Sequence, residues 1–177
     1  MKIGIDISQT AYPGTGVGNF TQNLVQHLLK IDPQNDYVLF FSSLRKKCPI
    51  AVSGFANASL KTFKLPPTLL DFLWNRLHVL PIEWLIGDVD VFITSDWTEP
   101  PTQRAPKITI LYDLIVYQRP AETAKIIIAT QKRKLEWVKK ESAAIICISE
   151  ATQKDAIKIL GLNRNKTKVV YPGGISS

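Results

Sequence analysis

Three glycines stand within five positions in the segment AYPGTGVGNF, between the apolar run KIGIDI and the periodic segment FTQNLVQHLLK. Glycine costs backbone entropy, so the cluster of Gly14, Gly16 and Gly18 indicates a tight turn or a close approach of the backbone to another group. The N–H groups of such a loop, with those of the helix that follows, can bind an anion. A plain tight turn is the alternative.

The glycine pattern does not match the two best-known nucleotide-binding loops. Asn19 follows Gly18 where the dinucleotide fingerprint has its third glycine. Ser42 and Ser43, rather than an acid, stand at the end of the second apolar run, so no carboxylate is available there for a ribose hydroxyl. The chain also lacks a G-K-[ST] sequence, which excludes a P-loop.

Polar residues follow two later apolar runs. Tyr112 and Asp113 end the run ITILYD, and Ser149 and Glu150 follow AAIICIS. Ligands of open α/β sheets bind beyond the carboxyl ends of the strands, where Asp113 could orient a hydroxyl. Capping of the next loop is an equal alternative for Asp113. For Ser149, the N-cap of a helix is the preferred interpretation.

Other catalytic arrangements are missing from the sequence. His27 and His78 have no neighbours at metal-ligand spacing, so no metal site is predicted. The chain has no G-x-S-x-G nucleophile elbow, which removes the commonest hydrolase class. Cys48 and Cys147 are far apart, and this spacing favours a reduced, cytoplasmic protein.

The elements that must position these residues form an alternating pattern. Seven short apolar runs are mostly continuous rather than alternating, as expected of strands buried on both faces. Helical periods separate several of them, which predicts βαβ units in a single α/β domain over residues 1–177, a Rossmann-like three-layer arrangement around a mainly parallel sheet. The predicted strands cover residues 2–7, 36–43, 59–65, 89–95, 107–113, 143–149 and 167–172.

Residues 66–90 are dense in Leu and Trp and are broken by Pro81. Proline ends a helix, so two short helices are predicted here. Trp74 and Trp84 could line the core or dip into a lipid interface. Contact with another domain is the preferred interpretation, because so much apolar surface is hard to bury in a small domain.

Positive charge is concentrated in one part of the chain. Residues 125–168 hold eleven Lys or Arg against four acids, which accounts for the whole net charge of +7. Such asymmetry indicates an anionic partner: nucleic acid, a phosphorylated ligand or a lipid surface. A solvated basic face is the preferred interpretation of the predicted amphipathic helix over residues 122–142. Its apolar stripe is Ala124, Ile127, Ile128, Leu135 and Val138, and its basic face is Lys125, Lys132, Arg133, Lys139 and Lys140.

Five segments, taken in order, resemble the N-terminal half of the family 4 glycosyltransferases, which are retaining enzymes of the GT-B fold. The match extends over almost all 177 residues. The segments are GIDISQTAYPGTGVGNFTQNL, LWNRLHVLP, DVDVFITSDWTEPP, ITILYDLIVYQRP and IICISEATQKDAIKILGLNRNKTKVVYPGG.

The resemblance implies two Rossmann-like domains that face a cleft, the N-terminal one binding the acceptor and the C-terminal one a nucleotide-diphosphate sugar. No metal or other cofactor is implied. The glycine loop would approach the donor diphosphate through Gly16, Val17 and Gly18. Asp113 would orient substrate, and Tyr112, which replaces a histidine common in the family, would contact sugar or acceptor. The lesser candidates at the cleft edge are Ser149 and Glu150.

The family's hinge follows VVYPGG, and this chain ends at Ser177, three residues beyond Gly174. The resemblance therefore implies that the donor-binding domain is absent here and that residues 1–177 alone are inactive. The expected partners are a nucleotide sugar, held by that other domain, and a glycan or lipid-linked acceptor of polysaccharide biosynthesis. The helix over residues 122–142 would contact anionic lipid at the inner face of the membrane. Nucleic acid is not expected, because Trp137 is the sole aromatic interleaved with the basic residues of that helix.

Two other functions remain open from the sequence. One is a stand-alone module that binds a phosphorylated ligand through residues 125–168. The other is half of an epimerase that shares the GT-B fold.

Overall fold

In the computed structural model, which describes residues 1–94 and 96–173, the chain folds around a seven-stranded sheet. Every strand pairing in this described part is parallel. The strands are β1 Lys2–Asp6, β2 Asp36–Ser42, β3 Ala58–Phe63, β4 Val91–Thr94, β5 Lys107–Leu111, β6 Ser142–Cys147 and β7 Thr167–Val169.

The strand order is β3-β2-β1-β4-β5-β6-β7. The first strand lies inside the sheet, since Ile3 pairs with Tyr37 of β2 on one side and with Val91 of β4 on the other. The chain leaves β1 towards β2 and returns from β3 to β4, so the direction of winding reverses between β1 and β4. In open α/β sheets, ligands bind outside the carboxyl ends of the strands at such a switch point.

Helices and short helical turns connect the strands. The α-helices are α1 Gly16–Ile31, α2 Pro67–Leu70, α3 Glu83–Ile86, α4 Ile115–Gln118, α5 Lys125–Glu141 and α6 Glu150–Leu160. A π-helical turn, Asp71–Arg76, continues α2. The 3-10 turns are Ser8–Ala11, Pro120–Glu122 and Arg164–Lys166.

Both faces of the sheet are covered, which confirms the predicted three-layer α/β/α fold. On one face, Val25 of α1 shares a core cluster with Ile5 and Leu39. On the other face, Phe40 and Phe92 share a cluster with the helix at residues 67–76. Burial on both faces explains why the strands appear in the sequence as continuous apolar runs.

Three expectations about α5 and the segment before β4 need correction. Arg133, expected on a solvated face, donates to the Asp71 carboxylate at 2.8 Å. Ala124 is exposed rather than part of the buried stripe. Trp74 is fully buried in the core, so it does not face another domain, whereas Trp84 is 66% exposed. The two helices predicted around Pro81 are confirmed.

The predicted strands are all present, but most end earlier than expected. β5 ends at Leu111 and β6 at Cys147, so Tyr112, Asp113 and Ser149 lie in the connections beyond the strands. Ser95, predicted to end β4, and Gly174, in the family's hinge sequence, lie outside the described residues.

Candidate functional site

A cavity of about 420 Å³ opens at the switch point, beyond the carboxyl ends of β1, β2 and β4. Asp6 is the last residue of β1, Ser42 is the last of β2, and Asp96 follows β4 by two positions. The turn Ser8–Ala11, the start of α1 and helix α2 complete its boundary. The fold therefore places this cavity where α/β proteins bind their ligands.

The polar part of the cavity consists of two carboxylates and one amide, together with the hydroxyl residues Ser8, Thr15, Ser42 and Thr98. Asp6 is 2% exposed, and its Oδ1 accepts a hydrogen bond from the Ser8 N–H at 2.9 Å. Burial raises the pKa of Asp6, and the hydrogen bond from Ser8 only partly opposes this. Burial also raises the pKa of Asp96, with the negative charge of Asp113 adding to it. Neither carboxylate is fully stabilised in its charged form by its surroundings.

Gln9 lies between these carboxylates and the glycine loop. Its side chain is 3% exposed, and its Oε1 has no hydrogen-bond partner among the described residues. A buried amide oxygen without a partner costs free energy, because it has lost its water and gained nothing in return. A ligand that donates a hydrogen bond here would remove that cost.

Lys134 of α5 lies beneath this region and is 1% exposed. Burial lowers the pKa of its ammonium group, while the charges of Glu99, Asp96 and Asp6 oppose the change. The sequence pattern missed this residue, because lysines of an amphipathic helix are ordinarily assigned to solvent. In the structure Lys134 is buried instead, and its positive charge interacts with the carboxylates of Glu99, Asp96 and Asp6.

The remaining wall of the cavity is largely apolar and aromatic. Tyr12 and Trp97 line it, together with Val17, Pro67 and Leu70. A second hollow of about 190 Å³ shares Pro67 and Trp97 with the cavity and continues along α5. Ligand sites commonly combine an apolar lining with a few well-placed polar groups, and this cavity has both.

The glycine loop borders the cavity through Val17. Gly14 has φ +84°, a backbone conformation that favours glycine, so it forms the turn. A Cβ on Gly18 would lie 2.7 Å from the carbonyl oxygen of Tyr12, so Gly18 approaches the chain's own backbone. At Gly16 a Cβ would meet no described atom within 4 Å, so this position borders open space.

The Tyr112 side chain points towards α1. It is 8% exposed, its Oη lies 3.3 Å from Oγ1 of Thr21, and its ring packs edge-on against Phe20 with centroids 5.4 Å apart. Asp113 accepts a hydrogen bond from the Ile115 N–H at 3.0 Å, as expected of a loop cap. Neither residue belongs to the described lining of the cavity.

Ser149 is the N-cap of α6 and accepts a hydrogen bond from the Thr152 N–H at 3.1 Å, which confirms the capping interpretation. Thr152 in turn donates through Oγ1 to the carbonyl oxygen of Tyr112 at 3.0 Å. Glu150 is exposed in the first turn of α6. The structure thus joins Tyr112 and Ser149 at the ends of β5 and β6, separately from the cavity beyond β1 and β4.

Sequence reasoning missed most of the cavity lining. Asp6, Gln9, Asp96 and Trp97 come from segments about 90 positions apart in the chain, and only the pairing of β1 with β4 brings them together. A usable signal was present. Asp6 is an acid within an otherwise apolar run, and Asp96 directly follows the predicted strand at residues 89–95, although the sequence did not predict that these two strands pair.

Two searches of the described part of the chain had negative results. Residues 1–94 and 96–173 contain no group of three His, Cys, Asp or Glu side chains arranged to hold a metal ion. Among the helices formed by these residues, none combines the length and the apolar character needed to cross a membrane.

No model of a known protein family matches the sequence, and no curated protein sequence matches it. One solved structure similar to this chain is an alpha-glucosyltransferase in complex with UDP and a 13-mer DNA containing a central A:G mismatch. The identity is 12% and the TM-score 0.46, over 97% of this chain and 41% of that one. This chain therefore spans less than half of that protein, and a likeness at this level says nothing about activity.

Proposed function

We propose that this chain is the acceptor-side domain of a retaining glycosyltransferase, which transfers a hexosyl unit from a nucleotide sugar to a glycan or lipid-linked acceptor. The order of five sequence segments supports membership of family 4. The observation that carries the proposal is the cavity beyond β1 and β4, at the switch point of the sheet.

The lining of the cavity suits a sugar unit. A volume of about 420 Å³ is within the usual range for small-molecule sites. Carboxylates accept hydrogen bonds from hydroxyl groups, and Asp6 and Asp96 supply such acceptors. The rings of Tyr12 and Trp97 give the apolar surface on which the C–H face of a sugar can pack.

The donor would approach the glycine loop from a second domain. In this proposal the N–H groups of Gly16 and Val17 at the start of α1 stabilise the diphosphate, and Gly16 leaves the approach open. The Gly18 N–H already donates to Thr15 Oγ1 at 3.1 Å. Transfer would then depend on positioning and on electrostatic stabilisation of the leaving diphosphate. In this proposal Asp113 orients substrate, and Tyr112, Ser149 and Glu150 lie at the other side of the cleft.

Ligand-observed NMR with methyl hexosides of the gluco, galacto and manno series tests sugar binding directly. We expect saturation transfer to at least one hexoside, and a loss of that signal in Trp97→Ala. Trp84→Ala is the matched control, because Trp84 is 66% exposed and does not line the described cavity. Failure of every hexoside to bind the folded protein would contradict the proposal.

Calorimetry with UDP and GDP sugars distinguishes the proposal from a phosphorylated-ligand module. The acceptor-side domain alone should bind these nucleotides weakly, since the main donor contacts belong to the other domain. Tight binding to this chain alone would instead support the stand-alone module.

Peripheral contact with an anionic membrane through α5 is part of the proposal. Lys125 and Lys132 are exposed on this helix, and Ile126 beside them is 71% exposed. We expect co-sedimentation with phosphatidylglycerol vesicles that is lost at about 1 M salt. Lys125→Gln with Lys132→Gln should weaken it, and the same change at Lys30 and Lys64 is the control. No sedimentation at low salt would exclude the contact.

A further inference from the structure

The charged side chains that line the described part of the cavity are all acidic. They are Asp6 and Asp96, and no Lys or Arg joins them there. Lys134 is buried behind them and is shared with Glu99. Lys134 interacts with Asp6, Asp96 and Glu99, while Lys107 pairs with Glu99 at 3.5 Å and with the more exposed Glu141 at 2.6 Å, so the carboxylates outnumber the cations.

A second, independent observation indicates which ligand groups the cavity can satisfy. Gln9 is 97% buried, lines the cavity, and holds an Oε1 with no partner in the described structure. An amide oxygen can only accept a hydrogen bond, so the complementary ligand atom is an O–H or N–H donor. Phosphate and carboxylate oxygens cannot fill this role when ionised.

We infer that the cavity binds an uncharged or amine-bearing acceptor sugar and excludes acceptor sugars that carry a phosphate or carboxylate group. The inference rests on the proposed function and adds the chemical class of the acceptor. Hydroxyl or ammonium protons are donated to Gln9 Oε1 and to the carboxylates of Asp6 and Asp96, while the pyranose ring packs against Trp97.

The charge of the ligand determines the selectivity, because the carboxylates of the cavity repel anionic sugars and attract an ammonium group. The repulsion between an anionic ligand and a carboxylate about 4 Å away is large enough in a partly buried site to weaken binding by well over tenfold. An ammonium group at the same position gains a comparable attraction. Burial raises the pKa of both carboxyl groups, as expected of acids that the protein itself pairs incompletely, and an ammonium ligand supplies the missing positive charge.

The test compares sugars that differ at one substituent. Affinities are measured by saturation-transfer NMR for a methyl hexoside that binds, for its 2-amino-2-deoxy derivative, and for its 6-phosphate and uronic acid forms. The neutral and amino sugars should bind, and the two anionic sugars should bind at least about tenfold more weakly. Equal binding of all four, or tightest binding of an anion, would overturn the inference while leaving sugar binding intact.

Two variants distinguish the effect of the carboxylate charge on binding from the effect of the hydrogen bond to Gln9. Asp96→Asn should keep binding of the neutral hexoside and remove any preference for the amino sugar, with the anionic sugars gaining affinity. Gln9→Leu should weaken the neutral and amino sugars alike. Asp88→Asn is the control, because Asp88 is exposed and does not line the described cavity. If no sugar of any charge binds the wild-type protein, the proposed function fails rather than the inference about charge.

Discussion

Carboxyl groups at the two edges of the sheet, formed by the carboxyl ends and the amino ends of its strands, have pKa shifts of opposite direction. At the carboxyl edge, burial raises the pKa of Asp6 and of Asp96. At the amino edge, hydrogen bonds outweigh burial and lower the pKa of Glu83 and of Glu141. The charged form is therefore favoured for Glu83 and Glu141 at the amino edge, although Glu83 Oε2 has no partner among the described residues, and it is disfavoured for Asp6 and Asp96 at the carboxyl edge.

At the amino edge, hydrogen bonds, ion pairs and a ring stack cluster around the start of β5. Glu83 Oε1 accepts hydrogen bonds from the N–H groups of residues 103, 104 and 105 at 2.9, 3.1 and 3.2 Å. Glu141 lies 2.6 Å from the Lys107 ammonium and 2.8 Å from His78 Nε2. The His78 ring stacks on Trp137 with centroids 3.5 Å apart. These contacts fix the loop that precedes β5 and the end of α5.

The largest expected effect is at Lys107, which is 1% exposed and pairs with Glu141 and, at 3.5 Å, with the fully buried Glu99. Lys107→Met leaves Glu99 without this charge partner and should lower the free energy of unfolding by about 3–5 kcal/mol. Urea denaturation at pH 7 measures the change.

A matched control for Lys107 is Lys139→Met, which removes an exposed lysine 3.8 Å from Glu136. Its expected effect is within about 0.5 kcal/mol. Adding Glu99→Gln to Lys107→Met should recover part of the loss. If the Lys107→Met protein is as stable as the wild type, the ion pairs of Lys107 do not stabilise the amino edge, and the contrast drawn between the two edges is wrong.

The next largest effect is expected at Glu83. Glu83→Gln replaces three charge-assisted hydrogen bonds by weaker neutral ones and should cost about 1–2 kcal/mol at pH 7. Because the folded-state pKa of Glu83 is lowered, its contribution is present above the unfolded value of about 4.3 and is lost as the pH falls below it. The difference between wild type and variant should therefore shrink in acid. A constant difference from pH 7 to pH 3 would contradict this assignment.

The glycine loop permits a comparison within the carboxyl edge. Gly18→Ala brings a Cβ to 2.7 Å from the Tyr12 carbonyl oxygen and 3.0 Å from that of Gln9, and should cost about 1–2 kcal/mol. Gly16→Ala meets no described atom within 4 Å and should be neutral or stabilising by up to about 1 kcal/mol. Thermal unfolding of both variants measures this. Equal effects of the two substitutions would show that the close approach of Gly18 to the Tyr12 and Gln9 carbonyl oxygens does not restrict the loop.

The smallest effect on stability is expected at Asp6. The pKa of its carboxyl group is raised in the folded protein, so its contribution is greatest below the unfolded value of about 3.9 and declines as the pH rises through the folded value. Asp6→Asn should therefore change stability at pH 7 by less than about 1 kcal/mol or increase it. Denaturation at pH 5 and pH 8 tests the sign. A large loss at pH 8 would mean that Asp6 is a structural acid like Glu83.

The pattern of apolar residues predicted all seven strands of the sheet but not the residues at which they end. Burial on both faces makes strands such as Asp36–Ser42 continuously apolar, and that signal is local. The strand ends were overestimated because the apolar runs continue past the last paired residue: Tyr112 suits a strand, and Ser149 directly follows Ile148. Ser149 caps its own helix by a local bond to Thr152, whereas Tyr112 contacts Thr21 of α1, 91 positions away in the chain.

The site was harder to predict, because its polar residues are set by tertiary contacts. Helical periodicity locates Leu135 and Val138 in the core, but it cannot indicate that Lys134 is also buried against distant carboxylates. Gln9 has no periodic or motif signal at all. The direct contribution of the sequence was the position of the glycine loop, with Val17 the one predicted site residue that lines the described cavity.

The position of β1 inside the sheet has a consequence for synthesis of the chain. The first strand to be translated finds its second partner only when β4 has been made, and the Lys2 N–H bonds to Asp90, 88 residues later. At about 5–20 residues per second, the nascent chain waits roughly 4–18 s with that edge of β1 unpaired. An unpaired strand edge is a template for pairing with other chains, so β1 is open to such pairing during this interval.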